Sequence, residues 1–294
     1  MICIAIAILS TQLSTMSTRY YHNKYSYSPI SASRRRRLHL RFRHSGTSSQ
    51  IRLLLLSFIC ILIICVSAIS IAWSVTPTVD NTSTVIKDSL VQHHAPYTTY
   101  SQMSPLIAQA LTASEDKRFY IHHGIDGIAI VRAIWDDLHM NGVLEGGSTI
   151  TDQLAKNVYL QGSDASVQHK LTDQVLAVKI EQHYTKSQII EYYVNIAYFG
   201  EGAYGIGAAA QHYFHTSPAH LDLAQSALLI GILQAPSVQD PWCHADIARA
   251  RQQVVLARMI TTGQITAVQR TKAEQEQFPF WQSGVTRPAN IVCG

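Results

Sequence analysis

The sequence predicts an all-α protein: a helical body behind one membrane-spanning helix. Three observations carry this expectation. Leu53–Trp73 contains no charged residue and is long enough to cross a bilayer. Behind it, apolar residues recur at helical spacing, with Gly and Pro rare inside the long segments. No run of alternating apolar and polar residues reads as a strand.

In chain order, residues 1–52 form a basic segment expected to be disordered and cytoplasmic. Met1–Leu9 is apolar but too short to span, and a Ser/Tyr/Asn-rich piece follows it. Arg34–Arg37, Arg41, Arg43 and Arg52 precede the apolar run, whereas every Asp and Glu lies after Arg52. The net charge of +4 therefore belongs to the N-terminal segment, and the remainder is mildly acidic. That balance argues against a nucleic-acid-binding body.

Residues 53–73 are expected to be the transmembrane helix, about 30 Å long at helical rise. The positive-inside rule keeps the N-terminus cytoplasmic and sends the body outside. A cleaved signal peptide is the alternative. The run is longer than an ordinary signal core, and no small-x-small site follows it. Residues 74–97 are rich in Thr, Ser, Val and Pro and read as an extended stalk with room for one strand.

Helices are expected at Pro105–Ser114, Gly127–Leu138, Thr149–Tyr159, Val167–His183, Lys186–Ile196, Gly205–Phe214, Leu221–Leu233 and Ala245–Thr262. Residues 263–294 read as a tail. Cys60 and Cys65 fall in the apolar run, while Cys243 and Cys293 lie where a disulfide is permitted. No Cys/His spacing suits a metal.

Two stretches carry dense polar groups beside core helices, where such groups are costly unless satisfied. The first is Glu115-Asp116-Lys117-Arg118-Phe119-Tyr120-Ile121-His122-His123-Gly124-Ile125-Asp126. Its bland reading is a capping box over Thr112–Glu115, with Asp126 an ordinary N-cap. The second is Gly146-Gly147-Ser148-Thr149-Ile150-Thr151-Asp152-Gln153-Leu154-Ala155-Lys156-Asn157. Its glycines permit close backbone approach, and Ser148 is a candidate cap for the helix behind it. Ser148, Thr149, Gln153 and Lys156 gather hydroxyls, an amide and an ammonium at one helix start, which suits a phosphate. The bland reading is a capped helix with solvated polar residues.

The first stretch resembles the opening signature of the peptidoglycan glycosyltransferases, the transglycosylase modules of penicillin-binding proteins, at Glu115, Asp116, Phe119, His122, Gly124 and Asp126. The second resembles the next signature, with Asp152 where that family has glutamine. His169-Lys170 through Asp173 to Glu181 resembles the third, with His169 for arginine and Asp173 for the family's second acidic glutamate. The loop Gln161–Gln168 also lacks the family's usual basic residue. Tyr184–Gly200 and Leu221–Pro236 follow the fourth and fifth, with Gln225 where glutamate is usual. The resemblance runs from Thr98 to Thr262 and leaves no room for a transpeptidase domain.

The resemblance implies a lysozyme-like, two-lobed helical domain over 98–262 whose smaller lobe touches the membrane. It implies a monofunctional enzyme that polymerises lipid-linked disaccharide-pentapeptide (lipid II) and releases undecaprenyl pyrophosphate. Glu115 would be the base and Asp173 the second acid, acting directly or through a divalent cation such as magnesium or manganese. Arg118, Lys156 and Lys170 would sit by the phosphates, with Ser148, Thr149 and Gln153 positioning the donor, and Asp116 would also bind substrate. No organic cofactor is implied. The expected partners are the precursor, the membrane and a separate transpeptidase. Two rival readings are a non-catalytic scaffold that binds lipid II or glycan, and a lysozyme-like hydrolase using the paired acids. The basic residues of the donor-side motif argue against the hydrolase.

Overall fold

The computed structural model describes residues 47–139, 147–160 and 167–282. The chain divides into two units after Ser57, and the contacts described below lie within the unit Phe58–Gly294. Eleven α-helices are present among the described residues, and no strand. Two isolated bridges, His123–Ile125 and Tyr198–Tyr204, are the nearest approach to sheet. Helix α1, Thr47–Val75, contains the expected span, and Gln50–Val75 is long and apolar enough to cross a membrane.

The stretch read as an extended stalk differs. It carries helix α2, Thr82–Gln92, whose Thr82, Ile86 and Leu90 are buried. The i, i+4, i+8 spacing of these three residues makes one apolar stripe, which polar neighbours concealed in the sequence. That stripe packs on α7, Lys186–Ile196.

Helix α3, Pro105–Glu115, and α9, Leu223–Ile232, form the centre with α10, Ala245–Thr261. Eight of the ten residues of α9 are buried. A helix apolar on nearly every side must lie inside the core. Its start is fixed by Asp222, which accepts from Gln225 N at 2.9 Å while Gln225 Oε1 accepts from Asp222 N at 3.1 Å. A glutamine serves this reciprocal cap as well as a glutamate does.

Past residue 262 the chain forms α11, Ala267–Gln275, and then buries Phe278 and Phe280 in the core. Phe214, Phe278, Phe280 and Trp281 pack ring against ring there. Each such ring contributes about 1.5–3 kcal/mol when buried. Cys243 is disulfide-bonded, and Cys293 lies outside the described residues.

Three motifs meet at Gly124. Its φ is +90°, and a Cβ there would lie 2.8 Å from the backbone of Ala177 and Val178 in α6, Val167–His183. Its carbonyl accepts from Thr149 Oγ1 at 2.8 Å. Only glycine allows both the left-handed turn and the close approach. The first motif is thereby pressed against the helices of the second and third.

Candidate active site

Glu115 is the last residue of α3. The capping-box reading of Thr112–Glu115 fails, because these residues end a helix and do not begin one. Thr112 Oγ1 instead donates back to Ala108 O at 2.8 Å. Glu115 Oε2 accepts from Gln153 Nε2 at 3.0 Å, and Oε1 accepts from Gln234 Nε2 at 3.2 Å. Each amide is aimed by a donor behind it. Tyr193 OH donates to Gln153 Oε1 at 2.8 Å, and Arg251 Nη2 donates to Gln234 Oε1 at 2.7 Å. With their oxygens engaged, both glutamines must turn their NH₂ groups to the carboxylate. Burial pushes the Tyr193 phenol well up, and the Glu115 charge adds to this, so Tyr193 remains a donor. Arg258 Nη1 closes the end of α3 by donating to Ser114 O at 2.7 Å.

Asp116 turns inward. It is 6% exposed, and its Oδ2 lies 2.8 Å from His122 Nε2 and accepts from Ile150 N at 3.2 Å. The substrate contact expected of it is here an internal tie between the first motif and the start of α5, Ile150–Tyr159. Arg118 forms a two-pronged pair with Asp126, through Nε at 2.9 Å and through Nη2. Asp126 Oδ1 also accepts from Ala129 N at 2.8 Å, so it does cap α4, Gly127–His139. Burial raises the Asp126 carboxyl, but the bonds from Arg118 and Ala129 outweigh it and hold the group below its usual range. Arg118 retains further N–H donors, and its side chain is 32% exposed.

The cap of α5 is Thr149 and not Ser148. Thr149 Oγ1 accepts from Asp152 N at 3.0 Å, and Asp152 Oδ2 accepts from Thr149 N at 3.2 Å. Such a cap contributes about 1 kcal/mol. Thr149 is buried with its hydroxyl committed to this cap and to Gly124. Ser148 is thereby released to accept from Lys170 Nζ at 2.9 Å. Lys170 also donates to Asp152 Oδ2 at 3.3 Å. Two of the three ammonium protons are thus taken among the described residues, and the side chain is still 43% exposed.

Asp152 and Asp173, the two acids that depart from the family pattern, share this flank. Both are buried, and the charge of Asp173 acts on Asp152. Burial is the main cause that raises the Asp152 carboxyl, against the pull of Lys170. Among the described residues Asp152 Oδ1 has no hydrogen-bond partner. Lys156 is exposed on α5, one turn beyond Asp152. Gly146, the loop Gln161–Asp164 and onward to residue 166, and the His169 side chain lie outside the described residues.

The structure therefore joins Glu115 to the Lys170–Asp173 group through adjacent residues of α5, Gln153 and Asp152. Gln234, Arg251 and Tyr193 had no role in the sequence reading. Their signal was there in part, because a polar residue closes the apolar run Leu228–Leu233. A further group, Glu201, Asp240 and Cys243, brings three potential ligand atoms within 4.8 Å of one another. The disulfide removes the thiolate, and Asp240 is bound by Tyr213 OH at 2.8 Å and Trp242 N at 2.8 Å. That group is a structural tie.

Residues 82–260 match the Transglycosylase family model. The chain belongs to the transglycosylase family. Its helical body is accordingly lysozyme-like, and the matched region includes α2. The chain is 40% identical over 184 residues to penicillin-binding protein 1A of Neisseria flavescens, covering 63% of this chain and 23% of that protein. It is 40% identical over 168 residues to penicillin-binding protein 1F of Bacillus subtilis (57% and 23%), and 42% identical over 178 residues to penicillin-binding protein 1A of Escherichia coli (60% and 21%). The aligned region of this transglycosylase thus spans under a quarter of each relative's length.

Proposed function

We propose that this transglycosylase is a membrane-anchored peptidoglycan glycosyltransferase that polymerises lipid II and releases undecaprenyl pyrophosphate. The observation that carries the reading is the link through α5. Gln153 holds the candidate base while the neighbouring Asp152 reaches the Lys170–Asp173 group. In the reaction, Glu115 takes the proton of the acceptor sugar's 4-hydroxyl as that oxygen attacks the donor's anomeric carbon. The bond from that carbon to the pyrophosphate oxygen breaks. A positioned base contributes about 10²–10⁴-fold.

The departing pyrophosphate meets the remaining proton of Lys170, with Lys156 and the outer edge of Arg118 as further cations. Ser148 holds Lys170 and so acts on the donor's pyrophosphate, whereas Gln153 holds Glu115 and so acts at the acceptor's hydroxyl, the step that brings it to the donor. Asp173 and the unbonded Oδ1 of Asp152 are hard oxygens that suit a divalent cation. When bound, such an ion would neutralise charge developing on the pyrophosphate.

The step in charge across Arg52 supports a cytoplasmic N-terminus and an outer body. The scaffold reading draws on the internal pairing of Arg118 with Asp126 and Lys170 with Asp152, which moderates two of the cations. The test gives the purified full chain lipid II in vesicles. Polymer that muramidase degrades, with release of undecaprenyl pyrophosphate, is expected. Binding of the precursor without polymer would establish the scaffold instead.

A further inference from the structure

Lys179 of α6 fastens the end of α1 to the body. A helix leaves its last carbonyls without partners. Lys179 Nζ lies 2.9 Å from Trp73 O, 2.9 Å from Thr76 O, 2.7 Å from Thr76 Oγ1 and 3.4 Å from Pro77 O. It also sits 5.2 Å from the centroid of the Trp73 ring. Four acceptors and a ring face surround an ammonium that has three protons.

The next residues are held as well. Tyr184 OH donates to Val79 O at 2.7 Å, and Thr82 Oγ1 donates to the same carbonyl at 2.6 Å. Thr76 and Val79 are buried. The connection between α1 and α2 therefore has little slack where it passes α6.

Lys179 shares α6 with Lys170 and Asp173. At helical rise those residues lie about 14 Å and about 9 Å before it along the axis. The fastening and the charged flank of the site are thus carried on one rod. Trp73 suits the membrane–water boundary, which places the fastening near that level.

We propose that Lys179 is a positioning residue, which fixes the end of the membrane helix to α6 and so sets the height of the Lys170–Asp173 group over the bilayer. The inference rests on the reading that the substrate is a pyrophosphate lipid held in that bilayer. A substrate whose depth is fixed by its own lipid demands a site of fixed height, because a misplacement of about 1 Å can cost on the order of 10²-fold. A substrate dispersed in detergent makes no such demand.

The experiment compares the full-length parent, Lys179→Met and Lys179→Arg. Each is assayed for lipid II polymerisation and lipid II binding, in vesicles and in detergent. Amide exchange is followed over Thr76–Val79 in vesicles. Lys179→Met keeps the stem and removes the donors, whereas Lys179→Arg keeps several donors. Lys179→Met is expected to speed exchange and to lower the vesicle rate about ten- to a hundredfold, while the detergent rate stays within about twofold. Lys179→Arg is expected to restore most of the vesicle rate.

Unchanged exchange in Lys179→Met overturns the fastening. Faster exchange with equal losses in vesicles and detergent, or with no loss in either, reduces Lys179 to a helix cap and overturns the positioning role. If the parent binds lipid II without polymerising it, the proposed enzyme falls. The positioning role then stands or falls on whether binding shows the same split. A parent that neither binds nor polymerises lipid II overturns both.

Discussion

The two flanks of the site are lined by different chemistry. At Glu115 the neighbours are neutral: the Ser114 hydroxyl and two amides, Gln153 and Gln234, each amide aimed from behind by Tyr193 or Arg251. Among the described residues these bonds orient the carboxylate without a cation in direct contact. The Asp173 flank is charged: the charge of Asp173 acts on Asp152, and Lys170 bridges Asp152 to Ser148. A base must keep a proton affinity that lets it work, and a direct ion pair would lower it. A flank that receives an anion gains from fixed cations. The contrast teaches that the proposed roles rest on what lines each flank as well as on the acid itself.

The largest expected effect breaks the contrast at its first member. Glu115→Gln should lower the polymerisation rate about 10²–10⁴-fold. Its melting temperature should stay within about 3 °C of the parent, since one lost hydrogen bond is worth about 1 kcal/mol. A stable variant with full turnover would remove Glu115 from the chemistry.

The second member comes next. Asp173→Ala should cost on the order of 10²-fold in rate. Asp173→Glu, which restores the longer acid of the family pattern, should match or exceed the parent. Parent-like rates in both would deny Asp173 its role as second acid.

Salt dependence separates the flanks more finely. Asp152→Asn removes a negative charge beside Lys170 and should tighten undecaprenyl pyrophosphate binding about tenfold at low ionic strength. The gain should shrink in 1 M salt, where the screening length falls to about 3 Å. Tyr193→Phe unfixes one amide on the neutral flank and should cost roughly fivefold in rate at either salt. Equal salt dependence in the two variants would erase the distinction.

The smallest effect is a control outside both flanks. Burial, the Asp222 carboxylate and the hydrogen bond between the two acids push Glu276 up to about 7, with Lys272 opposing. A carboxyl raised in the folded state adds stability below its unfolded value of about 4.5, and loses it as the pH rises through about 7. Glu276→Gln should therefore raise the melting temperature at pH 8 by about 1–3 °C and leave it little changed below neutrality. The effect is small because the group is partly solvated. An unchanged pH dependence would sever the Glu276–Asp222 pair.

The sequence by itself determined the long apolar helix and most of the body, because both depend on local composition and periodicity. An uncharged run reads as a span wherever it lies, and the spacing that marks α7 or α9 needs no knowledge of the partner helix. It also marked Glu115 and Asp173. Only the tertiary structure decided what surrounds them. That Gln234 and Gln153 converge on Glu115 is a contact across 119 and 38 positions of chain, which no local pattern records. The same is true of Lys179 and Trp73, 106 positions apart. Ser148 and Thr149 are adjacent and chemically alike, so the choice of cap fell to Gly124, whose backbone approaches closely enough to take the threonine proton. Helix α2 was hidden because its stripe of three apolar-facing residues includes a threonine, and only the core it packs against shows that face to be buried.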